Sequence, residues 1–181
     1  LPESAWDKIM DNNVKSNYIL VNSLVAPIME KQGSGAVILI SSVAALRASE
    51  MLAFYSISKA AEAHLTKNLA VAWGPKGVRV NAILPGLIKT DFAKELWTDP
   101  DRLERVENKV PLRRIGEPDD IAGCAHFLAS DAAAFSKMPN PVWTTRRNRG
   151  PGMPPTPSPL PLLPLLLPPA VPGIRPSMTG P

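Results

Sequence analysis

Tyr55-Ser-Ile-Ser-Lys59 is the segment of this chain richest in reactive groups. On a helix, a spacing of four sets the phenol and the ammonium on one face. An ammonium beside a phenol favours the phenolate and draws its pKa from about 10 towards neutrality. Such a phenol exchanges a proton with an alcohol or a carbonyl oxygen. The spacing alone recurs by chance in unrelated chains, so its neighbours decide. Ser41-Ser42 closes an apolar run upstream of Tyr55, and Pro85-Gly86 closes the next one. A serine hydroxyl there hydrogen-bonds a substrate oxygen while the tyrosine handles its proton.

The elements that must position these groups follow from periodicity. Residues 3–31 read as one long helix, with Ser4 as N-cap, Trp6, Ile9, Met10, Asn13, Val14 and Tyr18 at helical spacing, and a kink expected at Pro27. Residues 36–40 (AVILI) and 78–84 (VRVNAIL) are short, rich in β-branched residues and bounded by turn formers. They read as strands buried on both faces, as in a parallel sheet. Residues 54–73 form a second helix between them, 91–109 a charged helix or helix pair, and 118–130 a further helix with Pro118 in its first turn. The class is α/β, with helices covering both sheet faces. Ligands of open parallel sheets bind at the carboxyl ends of the strands, where Ser42, Tyr55 and the Pro85-Gly86 turn would meet. Only two strands are visible, so the pattern reads as part of a larger sheet.

Composition divides the chain near residue 135. Of 21 prolines, 14 lie in 136–181, and all 16 acidic residues lie before it. Residues 136–181 therefore read as a proline-rich, low-complexity, disordered tail. The formal charge of +4 resides in that tail, with Lys137, Arg146, Arg147, Arg149 and Arg175, and is no sign of nucleic-acid binding. Its PxxP spacings are those that chance gives any such tract. The apolar run 160–171 is too short and too broken by proline for a membrane helix. Leu1-Pro2-Glu3-Ser4 lacks the regions of a signal peptide, so a soluble, intracellular and by default cytoplasmic protein is expected.

Residues 1–135 resemble the short-chain dehydrogenase/reductase family over their whole length. The matching segments are WDKIMDNNVK, GAVILISSVAAL, YSISK, GVRVNAILPGLIKTDF and PLRRIGEPDDIAGCAHFLASDAA. In detail they are similar to peroxisomal-type carbonyl and retinol reductases and to bacterial oxidoreductases of the family. The resemblance implies the C-terminal part of a Rossmann-like, doubly wound parallel sheet, with the glycine-rich pyrophosphate-binding half and the last strand not in this sequence. It implies NAD or NADP as cofactor, without discriminating them, and a small alcohol or carbonyl as substrate. It implies Tyr55 as general acid/base, Lys59 as the group that acidifies it and holds the nicotinamide ribose, and Ser42 as the group that orients the substrate oxygen. Asn13 matches the asparagine of the family's proton relay. Pro85, Gly86, Ile88 and Thr90 match the stretch along the nicotinamide, so Tyr55, Lys59 and these four are the expected cofactor contacts. Homo-oligomers are implied for intact relatives, and peroxisomal residence for some, although no C-terminal signal is present here. The rival expectation is a catalytically inactive remnant that associates through its long helices.

The remaining reactive groups read as structural. Cys124, in IAGCAHFLA, reads as a small core thiol, and His64 and His126 are too isolated for a metal site. Arg113-Arg114 reads as a local contact before Gly116-Glu117-Pro118. No nucleic-acid or membrane partner is expected.

Overall fold

The computed structural model describes residues 2–136 and 142–144. Helical structure runs without a break through 3–32. It alternates α1 (Glu3–Met10), a π-helical stretch Asp11–Lys15, α2 (Ser16–Ile19), a second π stretch Leu20–Val25 and α3 (Ala26–Gln32). The expected single helix is thus present, but wound more loosely at two places. The second π stretch runs directly up to Pro27, whose missing N–H falls in the first turn of α3. Ser4 does not cap the start. Pro2 occupies the N-cap with extended backbone, and no side chain bonds the first turn.

Gly33, at φ 74, turns the chain into β1 (Gly35–Ile40). A short 3₁₀ turn, Val43–Leu46, precedes α4 (Ala53–Trp73). β2 (Val78–Leu84) lies parallel to β1, with Gly35 opposite Val78 and Ile40 opposite Ile83. Gly77 makes the turn before β2 at φ 84, and a Cβ there would collide with the Gly33 carbonyl oxygen. Only glycine meets both demands without strain. Then come α5 (Lys94–Trp97), α6 (Pro100–Glu107) and α7 (Pro118–Ala129). α7 opens with a capping box between Glu117 and Asp120, and Pro118 sits in its first turn as expected.

Two sequence expectations are corrected. A third short strand, β3 (Val142–Thr144), pairs parallel to β2, with Ala82 opposite Val142, so the sheet order is β1-β2-β3. Val-Trp-Thr has high strand propensity, which the surrounding prolines masked. Proline flanks it in sequence without entering it. The other correction concerns β1, which is not buried on both faces. Val37 and Leu39 are buried, but Ile40 is 45% exposed. β1 is the edge of the described sheet, and on its second face Ile38 packs against the α7 cluster while Ile40 stays exposed. β2, flanked on both sides, is buried at every position except Arg79.

The core has two parts, one on each sheet face. Val37, Leu39, Val78 and Val80 pack against Val21 and Ala26 of the first helical stretch and Leu69, Ala70 and Trp73 of α4. On the other face, Ile83 packs against Leu128 and Ala133, with Ile38, Ile121 and Cys124 around them. Cys124 is therefore a half-buried core thiol, as read, and burial pushes its pKa up. Arg79, the polar break in β2, sends its guanidinium to the carbonyls of Leu128, Ala129 and Ser130, closing the C-terminal end of α7. The rest of the tail expectation, in 137–141 and 145–181, lies outside the described residues.

Candidate active site

Parallel pairing carries β1 and β2 to the same end of the sheet, and the chain leaves each there with a polar turn. Ser41 N donates to Ile83 O at 2.8 Å, and Val43 N donates to Pro85 O at 3.0 Å. Ser42 is thereby held beside the Pro85-Gly86 turn. Its Oγ accepts the Ala44 N–H at 3.1 Å and caps the 3₁₀ turn, while its own hydroxyl proton remains available to another acceptor.

α4 crosses this end. Ser41 Oγ donates to the Lys59 carbonyl at 2.8 Å, and Lys59 Nζ donates back to the Ile40 carbonyl at 2.8 Å. Strand and helix are therefore stitched in both directions at the level of Tyr55 and Lys59. Lys59 Nζ lies 5.9 Å from the centroid of the Tyr55 ring. Trp6 packs edge-on against Phe54 at 5.2 Å, fixing the start of α4 against α1.

Asn13 reaches the same helix from the first π stretch. Its Nδ2 donates to Ser58 Oγ at 2.9 Å, and that hydroxyl donates to the Tyr55 carbonyl at 2.8 Å. Asn17 Nδ2 donates to the Asn13 carbonyl at 2.9 Å and to Glu62 Oε1 at 2.7 Å. Glu62 Oε2 takes a proton of Lys59 at 2.7 Å. Burial raises the Glu62 pKa, and the Lys59 ammonium opposes that rise. Sequence reasoning passed over Glu62, Asn17 and Ser58. The available signal for Glu62 was an acid three residues after Lys59 on the same helix.

Of the expected site residues, the structure brings Asn13, Ser42, Lys59 and Pro85 to one end of the sheet, with Tyr55 on the same helix as Lys59. Gly86 lines a cavity of about 430 Å³ together with Val43, Leu87, Val106, Val110 and Leu112. Lys109, Arg114 and Asp120 add charge to its wall. Ile88 and Thr90 follow in the same turn, held through their backbones. Ile88 bridges Gly116, and the Thr90 carbonyl accepts the Trp97 indole N–H at 2.9 Å. Arg114 forms a two-pronged pair with Asp120 at 2.6 and 2.9 Å, and Arg113 bonds the Asn108 carbonyl, so both arginines make the local contacts read from sequence.

The donor set fits the ribose end of a nicotinamide cofactor. A lysine ammonium has three donors, and two of them have protein acceptors here. Among the described residues no glycine-rich strand-to-helix turn offers a cradle for a pyrophosphate. None of the described helices is long and apolar enough to cross a membrane.

A parallel sheet with helices on both faces, one of which brings Lys59 to the carboxyl end of β1, defines a Rossmann-like α/β protein. The chain belongs to the short-chain dehydrogenase/reductase family: residues 1–140 match the family described as enoyl-(acyl carrier protein) reductase. It is 43% identical over 133 residues to dehydrogenase/reductase SDR family member 4 of Homo sapiens, which covers 74% of this chain and 48% of the relative. The Sus scrofa counterpart is 45% identical over 133 residues, covering 74% of this chain and 47% of that protein. The chain thus spans about half the length of the curated relatives it matches. Among solved structures it is similar to 7 alpha-hydroxysteroid dehydrogenase complexed with NADH and 7-oxo glycochenodeoxycholic acid. That match has a TM-score of 0.74 and 38% identity, over 81% of this chain and 56% of the other. It is also similar to gluconate 5-dehydrogenase of Burkholderia cenocepacia in complex with NADP and tartrate, with a TM-score of 0.73 and 29% identity, over 76% of this chain and 53% of that one.

Proposed function

We propose that this chain supplies the proton-transfer machinery of an NAD(P)-dependent oxidoreductase that interconverts an alcohol and a carbonyl. The observation that supports this reading is the pair of hydrogen bonds that ties the Lys59 turn of α4 to Ile40 and Ser41 at the end of β1, next to Ser42 in sequence. A bound nicotinamide would supply or accept the hydride at the substrate carbon. Ser42 Oγ donates to the substrate oxygen and fixes its direction. Tyr55 then gives its phenolic proton to that oxygen in reduction, and takes the hydroxyl proton in oxidation. Lys59 offers its remaining N–H to the ribose. Asn13 holds the helix turn beneath Tyr55 through Ser58. Pro85, Gly86, Ile88 and Thr90 would line the nicotinamide, and the cavity beside Gly86 would take the substrate.

The test is nicotinamide fluorescence titration and carbonyl reduction with the purified full chain. Saturable binding of NADH or NADPH, with turnover lost and binding kept in Tyr55→Phe, supports the reading. No binding at millimolar cofactor ends it for this chain.

A second reading, association without catalysis, is favoured by one surface. Tyr18, Ile19, Leu20, Leu24 and Ile28 on the first helical stretch are exposed, as is Val71 on α4, at 75%. Exposed apolar side chains at this density favour burial against another helix surface. Sedimentation of the chain, alone and with a full-length relative, separates the two readings. A stable complex without cofactor binding supports the second.

A further inference from the structure

We infer that Glu62 is a positioning residue for the Lys59 ammonium, fixing which of its protons faces the reacting groups; the inference rests on the alcohol–carbonyl reading above. Glu62 sits mid-helix on the buried side of α4, and its side chain is 2% exposed, against 12% for Lys59. A carboxylate in such a place is costly unless every lone pair it exposes is used. Here both oxygens are used, and by different elements. Oε2 takes Lys59 at 2.7 Å, and Oε1 takes Asn17 at 2.7 Å from the first helical stretch. The other amide proton of Asn17 goes to the Asn13 carbonyl. Glu62 cannot turn without breaking a contact that also orders Asn13.

The consequence falls on Lys59. A lysine stem has four rotatable carbons, and its ammonium is free to swing unless its donors are taken. Ile40 O and Glu62 Oε2 take two of the three. Two fixed acceptors determine the direction of the third N–H, which has no acceptor among the described residues. That proton is the one the proposed reaction directs at a ribose hydroxyl. Lys59 is the sole charged group facing Glu62 among the described residues, Asn17 and Thr66 being its neutral neighbours.

Gln and Met fill nearly the volume of Glu, but only Gln presents an oxygen to Lys59. The experiment is therefore amine labelling of the full chain with N-hydroxysuccinimidyl acetate, read lysine by lysine by mass spectrometry, in wild type, Glu62→Gln and Glu62→Met. Labelling of Lys59 is expected to rise by about tenfold or more in Glu62→Met, the effect of losing one charge-assisted hydrogen bond, and to stay within about twofold of wild type in Glu62→Gln. Equal labelling in the two variants, or no rise in Glu62→Met, overturns the inference, because a space-filling role treats Gln and Met alike. Exposed Lys15 and Lys94 serve as reagent controls, and far-ultraviolet circular dichroism reports folding. Should it show Glu62→Met unfolded, Asn17→Leu replaces it: a rise at Lys59 without a rise at the control lysines supports the inference, and no rise overturns it. Titration of the wild-type chain with NADH and NADPH is read separately. Its failure counts against the oxidoreductase reading and leaves the labelling result to judge Glu62.

Discussion

Ser41 donates its hydroxyl to the Lys59 carbonyl across the end of β1, and the Lys59 ammonium donates to the carbonyl of Ile40, the residue before the serine. Ser42, its neighbour, makes no such tie to α4. Two adjacent serines thus divide structural and chemical work. Ser41→Ala is expected to lower stability by about 1 kcal/mol, the usual net value of a buried hydrogen bond. Ser42→Ala gives up only the Ala44 cap, so it is expected to lower stability by no more than Ser41→Ala and to cut turnover by on the order of a hundredfold, as removal of a substrate-oxygen donor does. Urea melts and carbonyl-reduction rates on the two variants check this. The same loss of turnover in both, with equal destabilisation, would contradict it.

Glu62 makes stability depend on pH in a defined direction. Its folded pKa is raised above the ordinary carboxylate value of 4.5, first by burial. Over the interval between those two values the folded state holds a proton that the unfolded state has released. The stability Glu62 contributes is therefore full below the ordinary value and is lost as pH rises through the folded one. Chemical denaturation at a series of pH values should show that decline in wild type and a flatter curve in Glu62→Gln.

Asp120 acts with the opposite sign. Its pairing with Arg114, and then the Glu117 N–H, hold its carboxyl well below the ordinary range. Its contribution is present above the unfolded value and is lost as pH falls towards the folded one. Asp120→Asn is expected to lower the melting temperature at neutral pH and to narrow the gap from wild type in acid. Helix content by circular dichroism from pH 7 down to about 2, within the titration range of carboxylates, is the measurement.

Arg79 closes the C-terminal end of α7 with three carbonyl contacts from the strand beneath. Arg79→Met keeps the stem and removes the donors. A loss of about 2 kcal/mol is expected, the scale of charge-assisted bonds to partly buried acceptors. Amide exchange should show the last turn of α7 opening first.

Much of this architecture was readable because the strands carry their own punctuation. Residues 78–84 were bounded by Gly77 and Pro85, and β2 is Val78–Leu84. Residues 3–31 were legible as helix because apolar side chains recur at helical spacing. The π stretches within them were not, because a one-residue change in hydrogen-bond partner leaves almost no trace in composition. β1 looked like a strand buried on both faces because AVILI is apolar throughout, yet burial depends on what lies beyond it, which no local pattern encodes. β3 was lost inside a proline-rich context. At the site, the spacing of Ser42, Tyr55 and Lys59 was open to sequence reasoning. The second contact of the Glu62 carboxylate was not, since Asn17 lies 45 residues away on another helical stretch.

β1 ends the described sheet on one side, and so one row of its peptide groups faces outward without a strand to answer them. Such a row is a template that accepts any extended chain in register, at a strength set by how many donors and acceptors line up. An extended peptide offered to this chain should accordingly pair along the open part of Gly35–Ile40, short of the Ile40 carbonyl that Lys59 holds, and a single lysine substituted on that border should weaken the pairing.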